Sequence, residues 1–197
     1  MPRLFTGFPI PASIGAQLAS LRGGLSGAKW VEPDDYHVTL RFFGDIDGGT
    51  ARAIDDDLFE LAQEGHIALF SLALDEIAAF GRQRPHALIA RVKPCAALTR
   101  LQQAHETLAR RNGLPPEPRK FTPHVTLARL RGVEPQAVAN WLEIRAFPLG
   151  MTLEADHFAL FSARDSVGGG PYHIEAIYPL GMADQPSSSA PMKGNCR

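Results

Sequence analysis

The chain has 197 residues, of which 45% are apolar and 21% charged, enough for one domain or two small lobes sharing a core. A formal charge of -1 excludes a general polyanion binder, because that class of affinity needs a large excess of Lys and Arg to displace counterions. No apolar run of about 18 residues occurs, and the start MPRLFTGFPIP carries Pro and Gly where a signal peptide needs an apolar helical core. A cytoplasmic protein away from membranes is expected. Cys95 and Cys196 have no CxxC or CxxH neighbours, so neither a disulfide framework nor a zinc site is indicated.

Arg3 to Ile10 alternates around Phe5 and Phe8 and predicts a strand closed by Pro9 and Pro11. Ile14, Leu18 and Leu21 share one helical face, and Gly23-Gly24 stops that helix. Trp30 to Gly44 reads as one strand. Thr50 is the expected cap of a second helix whose buried stripe is Ile54, Leu58 and Leu61. Strands are predicted over Ala68 to Ala79 and His86 to Val92, then a helix over Ala96 to Asn112 ended by Gly113 and Pro115.

A strand over Phe121 to Leu130, a short helix over Pro135 to Trp141 and two last strands near Leu153 to Ser162 and Tyr172 to Leu180 complete the order, with a turn at Gly168-Gly169-Gly170-Pro171. Gly181 to Arg197 has almost nothing to bury and is expected to be a disordered tail after a domain spanning residues 1–180. Strands and helices without a strict alternation point to an α+β fold with mainly antiparallel sheet.

The near-zero net charge hides an asymmetry. Arg82 to Arg131 holds eleven basic residues against Glu106 and Glu117, whereas Asp45 to Glu76 holds nine acidic residues against Arg52. The division reads either as a local phosphate-attracting field or as solvated faces that cluster.

His37-Val38-Thr39-Leu40 recurs as His124-Val125-Thr126-Leu127, 87 positions later. A single copy is best read as an exposed strand His beside a β-favouring Thr. Two copies suggest an internal duplication. On a strand, positions i and i+2 share a face, so each motif offers an imidazole beside a hydroxyl while Val and Leu enter the core. Two such strands side by side would bring both imidazoles and both hydroxyls to one cleft. One imidazole can then take a proton while the other gives one, and Thr hydroxyls can donate to phosphate oxygens. Phosphodiester displacement needs that set, and no metal or cofactor. A zinc site is the rival, but His-x-Thr lacks a second ligand at helix or hairpin spacing.

The paired HxTx motifs, with Trp30-Val31-Glu32-Pro33, HVTLRFFGDID and RKFTPHVTLARL around them, resemble the two-histidine phosphoesterase superfamily. Within it the chain is similar to the RNA 2′,3′-cyclic phosphodiesterases, or 2′-5′ RNA ligases, from about Arg3 to Leu180. The resemblance implies two pseudo-symmetric lobes facing a central groove, with helices outside. It implies hydrolysis of a terminal 2′,3′-cyclic phosphate to a 2′-phosphate and reversible 2′-5′ joining of RNA ends. His37 would protonate the departing 3′ oxygen, His124 would activate water, Thr39 and Thr126 would hold phosphate, Arg129 would sit near it, and Phe42 near a base.

Strict alternation puts Arg129 with Val125 and Leu127, and Phe42 opposite His37. Either the strands bulge after Leu40 and Leu127 or these residues act from the rim. Arg119 and Lys120 are expected to guide an RNA backbone, with an exposed loop pair as the alternative. His105 falls on the stripe of Leu98, Leu101 and Leu108 and is expected to pack in the core, and no role attaches to His66, His86, His157 or His173. Partners expected are RNA ends or cyclic-phosphate nucleotides, with the chain a monomer and no protein partner. Small cyclic nucleotides, 2′-5′ oligonucleotides, or RNA-end binding without catalysis are the other readings.

Overall fold

The structure is a computed structural model and describes residues 3–64, 68–145, 149–163 and 170–181. Its elements in chain order are β1 (Arg3–Pro9), α1 (Ala12–Ala19), β2 (Ala28–Trp30), a 3-10 turn (Pro33–Asp35), β3 (His37–Asp45), α2 (Gly48–Gln63), β4 (Phe70–Phe80) and β5 (Ala87–Val92). Then follow α3 (Ala96–Arg111), β6 (His124–Leu130), α4 (Pro135–Arg145), β7 (Met151–Ala155), β8 (His157–Ala163) and β9 (His173–Pro179).

The strands form one sheet in the order β7-β4-β5-β6-β3-β1-β8-β9, with β2 added to β6, and every described pairing is antiparallel. The two motif strands, β3 and β6, are therefore the central neighbours, each the inner strand of a four-strand arm. Val38, Leu40, Val125 and Leu127 are all buried in the main core, so the His and Thr positions of both motifs turn to the opposite, accessible face. This is the expected α+β, antiparallel architecture.

Three expected elements are corrected. Trp30 to Gly44 is not one strand: Pro33, which fixes its φ and has no N–H for a ladder, opens the 3-10 turn that separates β2 from β3. Leu153 to Ser162 contains two strands broken at Asp156, and they belong to opposite arms, β7 pairing with β4 and β8 with β1. The cap of α2 is Asp47 and not Thr50, since the Asp47 carboxylate accepts the N–H groups of Gly49 and Thr50 and the Thr50 hydroxyl. The tail after Gly181, the first part of the glycine-rich turn and His66 lie outside the described residues.

Candidate active site

A single cross-strand pair, Val38 opposite Val125, joins β3 to β6. Continuing that antiparallel register sets His37 opposite Thr126 and Thr39 opposite His124, all on the accessible face. Each imidazole thus has the hydroxyl of the other motif beside it. The two histidines are diagonal neighbours, with Cα atoms about 7–8 Å apart in such a ladder.

His37 and His124 are held in the same way. Nδ1 of His37 lies 2.7 Å from the Asp35 carbonyl oxygen, and Nδ1 of His124 lies 2.7 Å from that of Thr122. A carbonyl only accepts, so each Nδ1 carries the hydrogen and each Nε2 is left as the basic nitrogen. Both carbonyls come from two residues upstream, so the two sites repeat one local design.

The surroundings differ. The His37 ring sits among Phe5 at 4.8 Å, Tyr172 at 5.1 Å and Phe161 at 5.4 Å between ring centres. Loss of water there pulls its pKa down to about 4, helped by the like charges of His124 and Arg129 and opposed by the Asp35 carbonyl. His124 has Phe80 edge-on at 4.8 Å. Burial also lowers its pKa, the Thr122 carbonyl opposes, and the Arg119 charge adds to the lowering.

Two adjoining cavities meet at Thr39 and Phe42. The one on the His37 side, about 270 Å³, is lined among others by Arg3, Asp35, Thr126, Arg129 and Tyr172. The one on the His124 side, about 500 Å³, is lined among others by Phe80, His86, Gln102, Arg119, Lys120 and Phe121. All eight residues singled out from the sequence, His37, Thr39, Phe42, Arg119, Lys120, His124, Thr126 and Arg129, line one cavity or the other.

Phe42 and Arg129 reach the site because both strands bulge at the same motif position. Thr126 pairs with Ile89 and Ala128 with Leu88, which leaves Leu127 as the extra residue in β6. Gly7 pairs with Thr39 and Thr6 with Arg41, which leaves Leu40 extra in β3. The following pairs, Leu40 with Arg41 and Leu127 with Ala128, are both buried, and the next residues return to the histidine face.

Sequence reasoning passed over several residues of the site. His86 lacked a motif, yet it stands in the His124 cavity and stacks on Phe80. Phe5 of β1 and Tyr172, just ahead of β9, are far from His37 in sequence and are brought to it by the sheet order, and no local pattern marks them. His105 is fully buried, as expected, with Nδ1 donating to the Leu101 carbonyl at 2.8 Å. Among the described residues no cluster of His, Cys, Asp and Glu is arranged to hold a metal ion.

The charge asymmetry resolves into partners as well as a field. Arg111 pairs with Asp57 away from the site, and Arg91, the cross-strand neighbour of His124, pairs with Glu76, so basic and acidic segments partly neutralise each other. At the cavity Arg119 is itself paired with Glu117 at 2.8 Å, and Lys120 lines the wall beside it. Among the described residues no helix is long and apolar enough to cross a membrane.

The model of LigT-like phosphoesterases matches residues 8–89 and again residues 92–172, one match to each motif-bearing half. The RNA 2′,3′-cyclic phosphodiesterase of Bacillus subtilis (strain 168) is 32% identical over 170 residues, covering 84% of this chain and 86% of the relative. A Thermus thermophilus structure superposes with a TM-score of 0.76 at 22% identity, covering 91% of this chain and 98% of that one. Escherichia coli LigT complexed with 3′-AMP does so with a TM-score of 0.72 at 22% identity, covering 91% and 99%; at that identity these two show a shared fold. Two tandem matches over most of the sequence, together with the Bacillus relative, establish that the chain belongs to the LigT-like phosphoesterase family.

Proposed function

We propose that the chain hydrolyses the terminal 2′,3′-cyclic phosphate of RNA to a 2′-phosphate, with paired imidazoles as acid and base, and joins RNA ends 2′-5′, reversibly, when a 5′-hydroxyl attacks the same phosphorus in place of water. The observation that supports this is the Val38–Val125 pairing, which brings the two motif strands side by side, with His37 and Thr126 lining one cavity, His124 lining the adjoining one and Thr39 lining both. The curated relatives' name supports the substrate class. We take the chain to act as a cytoplasmic monomer, with residues 1–180 as one catalytic domain.

The difference between the two sides divides the roles. His124 lines the larger cavity, which has more room for a water, and its Nε2 is the base that takes the proton of the attacking water. His37, walled by aromatic rings, gives its proton to the 3′ oxygen as the 3′ O–P bond breaks, leaving a 3′-hydroxyl and a 2′-phosphate. Thr39 and Thr126 donate to the non-bridging oxygens, and the Arg129 guanidinium balances their charge. Phe42, between the cavities, offers a face for a base, and Arg119 and Lys120 offer charge to the strand upstream.

RNA ending in a 2′,3′-cyclic phosphate, followed by ³¹P NMR, tests this. The expected product is the 2′-phosphate. H37A and H124A should each lower the rate by roughly 10²- to 10⁴-fold, with EDTA without effect. Binding without turnover would leave an RNA-end binding module, and turnover confined to cyclic mononucleotides would narrow the substrate.

A further inference from the structure

We propose that Asp35 is a positioning residue that acts twice on His37: its carbonyl sets the imidazole tautomer, and its carboxylate fastens Tyr172 as the wall that keeps water from that ring. The idea deepens the function proposed above and rests on His37 as the proton donor.

Asp35 closes the 3-10 turn, two residues before the histidine, so its carbonyl meets Nδ1 at 2.7 Å. Its side chain faces another part of the chain. Oδ1 accepts the Tyr172 N–H at 2.8 Å, across 137 residues of sequence. The Tyr172 ring then stands edge-on to His37, at 88°, and edge-on to Phe5, at 82°. Gly170 fits this contact because a Cβ there would collide with the Asp35 carboxylate, and its φ of +78° suits glycine. One carboxylate therefore holds a main-chain segment against the imidazole that its own main chain orients.

The consequence is local. Water kept from the His37 side cannot compete for the proton meant for the 3′ oxygen, and it enters beside His124 instead. The charged and titratable groups around His37 are Arg3 of β1, Asp35 of the turn, His124 and Arg129 of β6, and Tyr172 ahead of β9; Phe161 of β8 adds only an apolar face. G170A changes the hydration of the ring with those charges in place, whereas D35A also removes the Asp35 charge, a loss that D35N shares and so controls for.

The test is an NMR titration of the His37 ring, with kcat and KM on cyclic-phosphate RNA, in the full chain and in D35A, D35N and G170A. D35A should raise the His37 pKa by about one unit or more and lower kcat roughly 5- to 20-fold, with KM changed less than about twofold. D35N should stay near the parent, because its amide oxygen still accepts the Tyr172 N–H. G170A should behave as D35A, by forcing the carboxylate and the Tyr172 segment apart. An unmoved His37 titration in both D35A and G170A, or a D35N as impaired as D35A, would overturn the proposal. An active H37A would instead overturn the catalytic reading, since the titration reports the wall without reference to turnover.

Discussion

Both reactive imidazoles are neutral at rest near pH 7, because burial lowers the pKa of each, that of His37 to about 4. A proton donor at His37 must therefore gain its proton along with an anionic substrate, whose phosphate favours imidazolium. The kcat/KM profile, which reports the free protein, should be bell-shaped with both limbs below the ordinary imidazole value of about 6.5. The kcat profile should lie higher, since bound phosphate raises the pair. The limbs belong to the coupled pair and not to one ring. R129A should raise KM and lower kcat together, and R129K should recover only part, because an ammonium cannot grip two phosphate oxygens in plane. His37, His124 and their threonines could be read from the sequence because the motif is local and occurs twice. Tyr172 could not, since it meets Asp35 across the whole fold.

The bulges at Leu40 and Leu127 decide which side chains reach the cleft, and they explain why strict alternation misplaces Phe42 and Arg129. An extra residue in a strand leaves no clear mark in a β-rich run such as HVTLRFF. Gly7 permits the β3 bulge: a Cβ there would stand 2.6 Å from the Val38 carbonyl oxygen of the neighbouring strand. G7A should cost roughly 1–3 kcal/mol in urea unfolding, as overpacking does. Arg41, at the bulge and only 5% exposed, lies 2.7 Å from Glu106 of α3 and donates to the Phe42 and Pro115 carbonyls. It ties β3 to α3 and to the segment that leads to Arg119. R41A should destabilise by roughly 1–3 kcal/mol, because it removes the guanidinium paired with Glu106, a half-buried carboxylate that keeps only the Glu117 N–H.

The molecule as a whole is two arms of sheet meeting at β3 and β6, and the repeated family match follows the same division. Hydrophobic periodicity sufficed for most strands and helices, but not for the partnership between arms, which depends on strand order. One core group links the fold to pH. His105 is fully buried, its Nε2 has no hydrogen-bond partner, and its pKa is lowered to about 4 by burial. A folded pKa below the unfolded value of about 6.5 means that the unfolded chain binds the proton first, so stability is complete above pH 6.5 and falls toward pH 4. Urea unfolding at pH 7 and pH 4 should show the parent losing about 3 kcal/mol more than H105M over that interval.

The central claim is that one phosphorus atom lies between His37 and His124. A crystal structure with a nucleoside 2′,3′-cyclic vanadate, a five-coordinate mimic of the transition state, tests it most directly. Nε2 of each histidine should lie within about 3 Å of opposite apical oxygens, with the Thr39 and Thr126 hydroxyls on the equatorial ones. Vanadate held by one imidazole alone, with the other ring turned to a separate cavity, would contradict it.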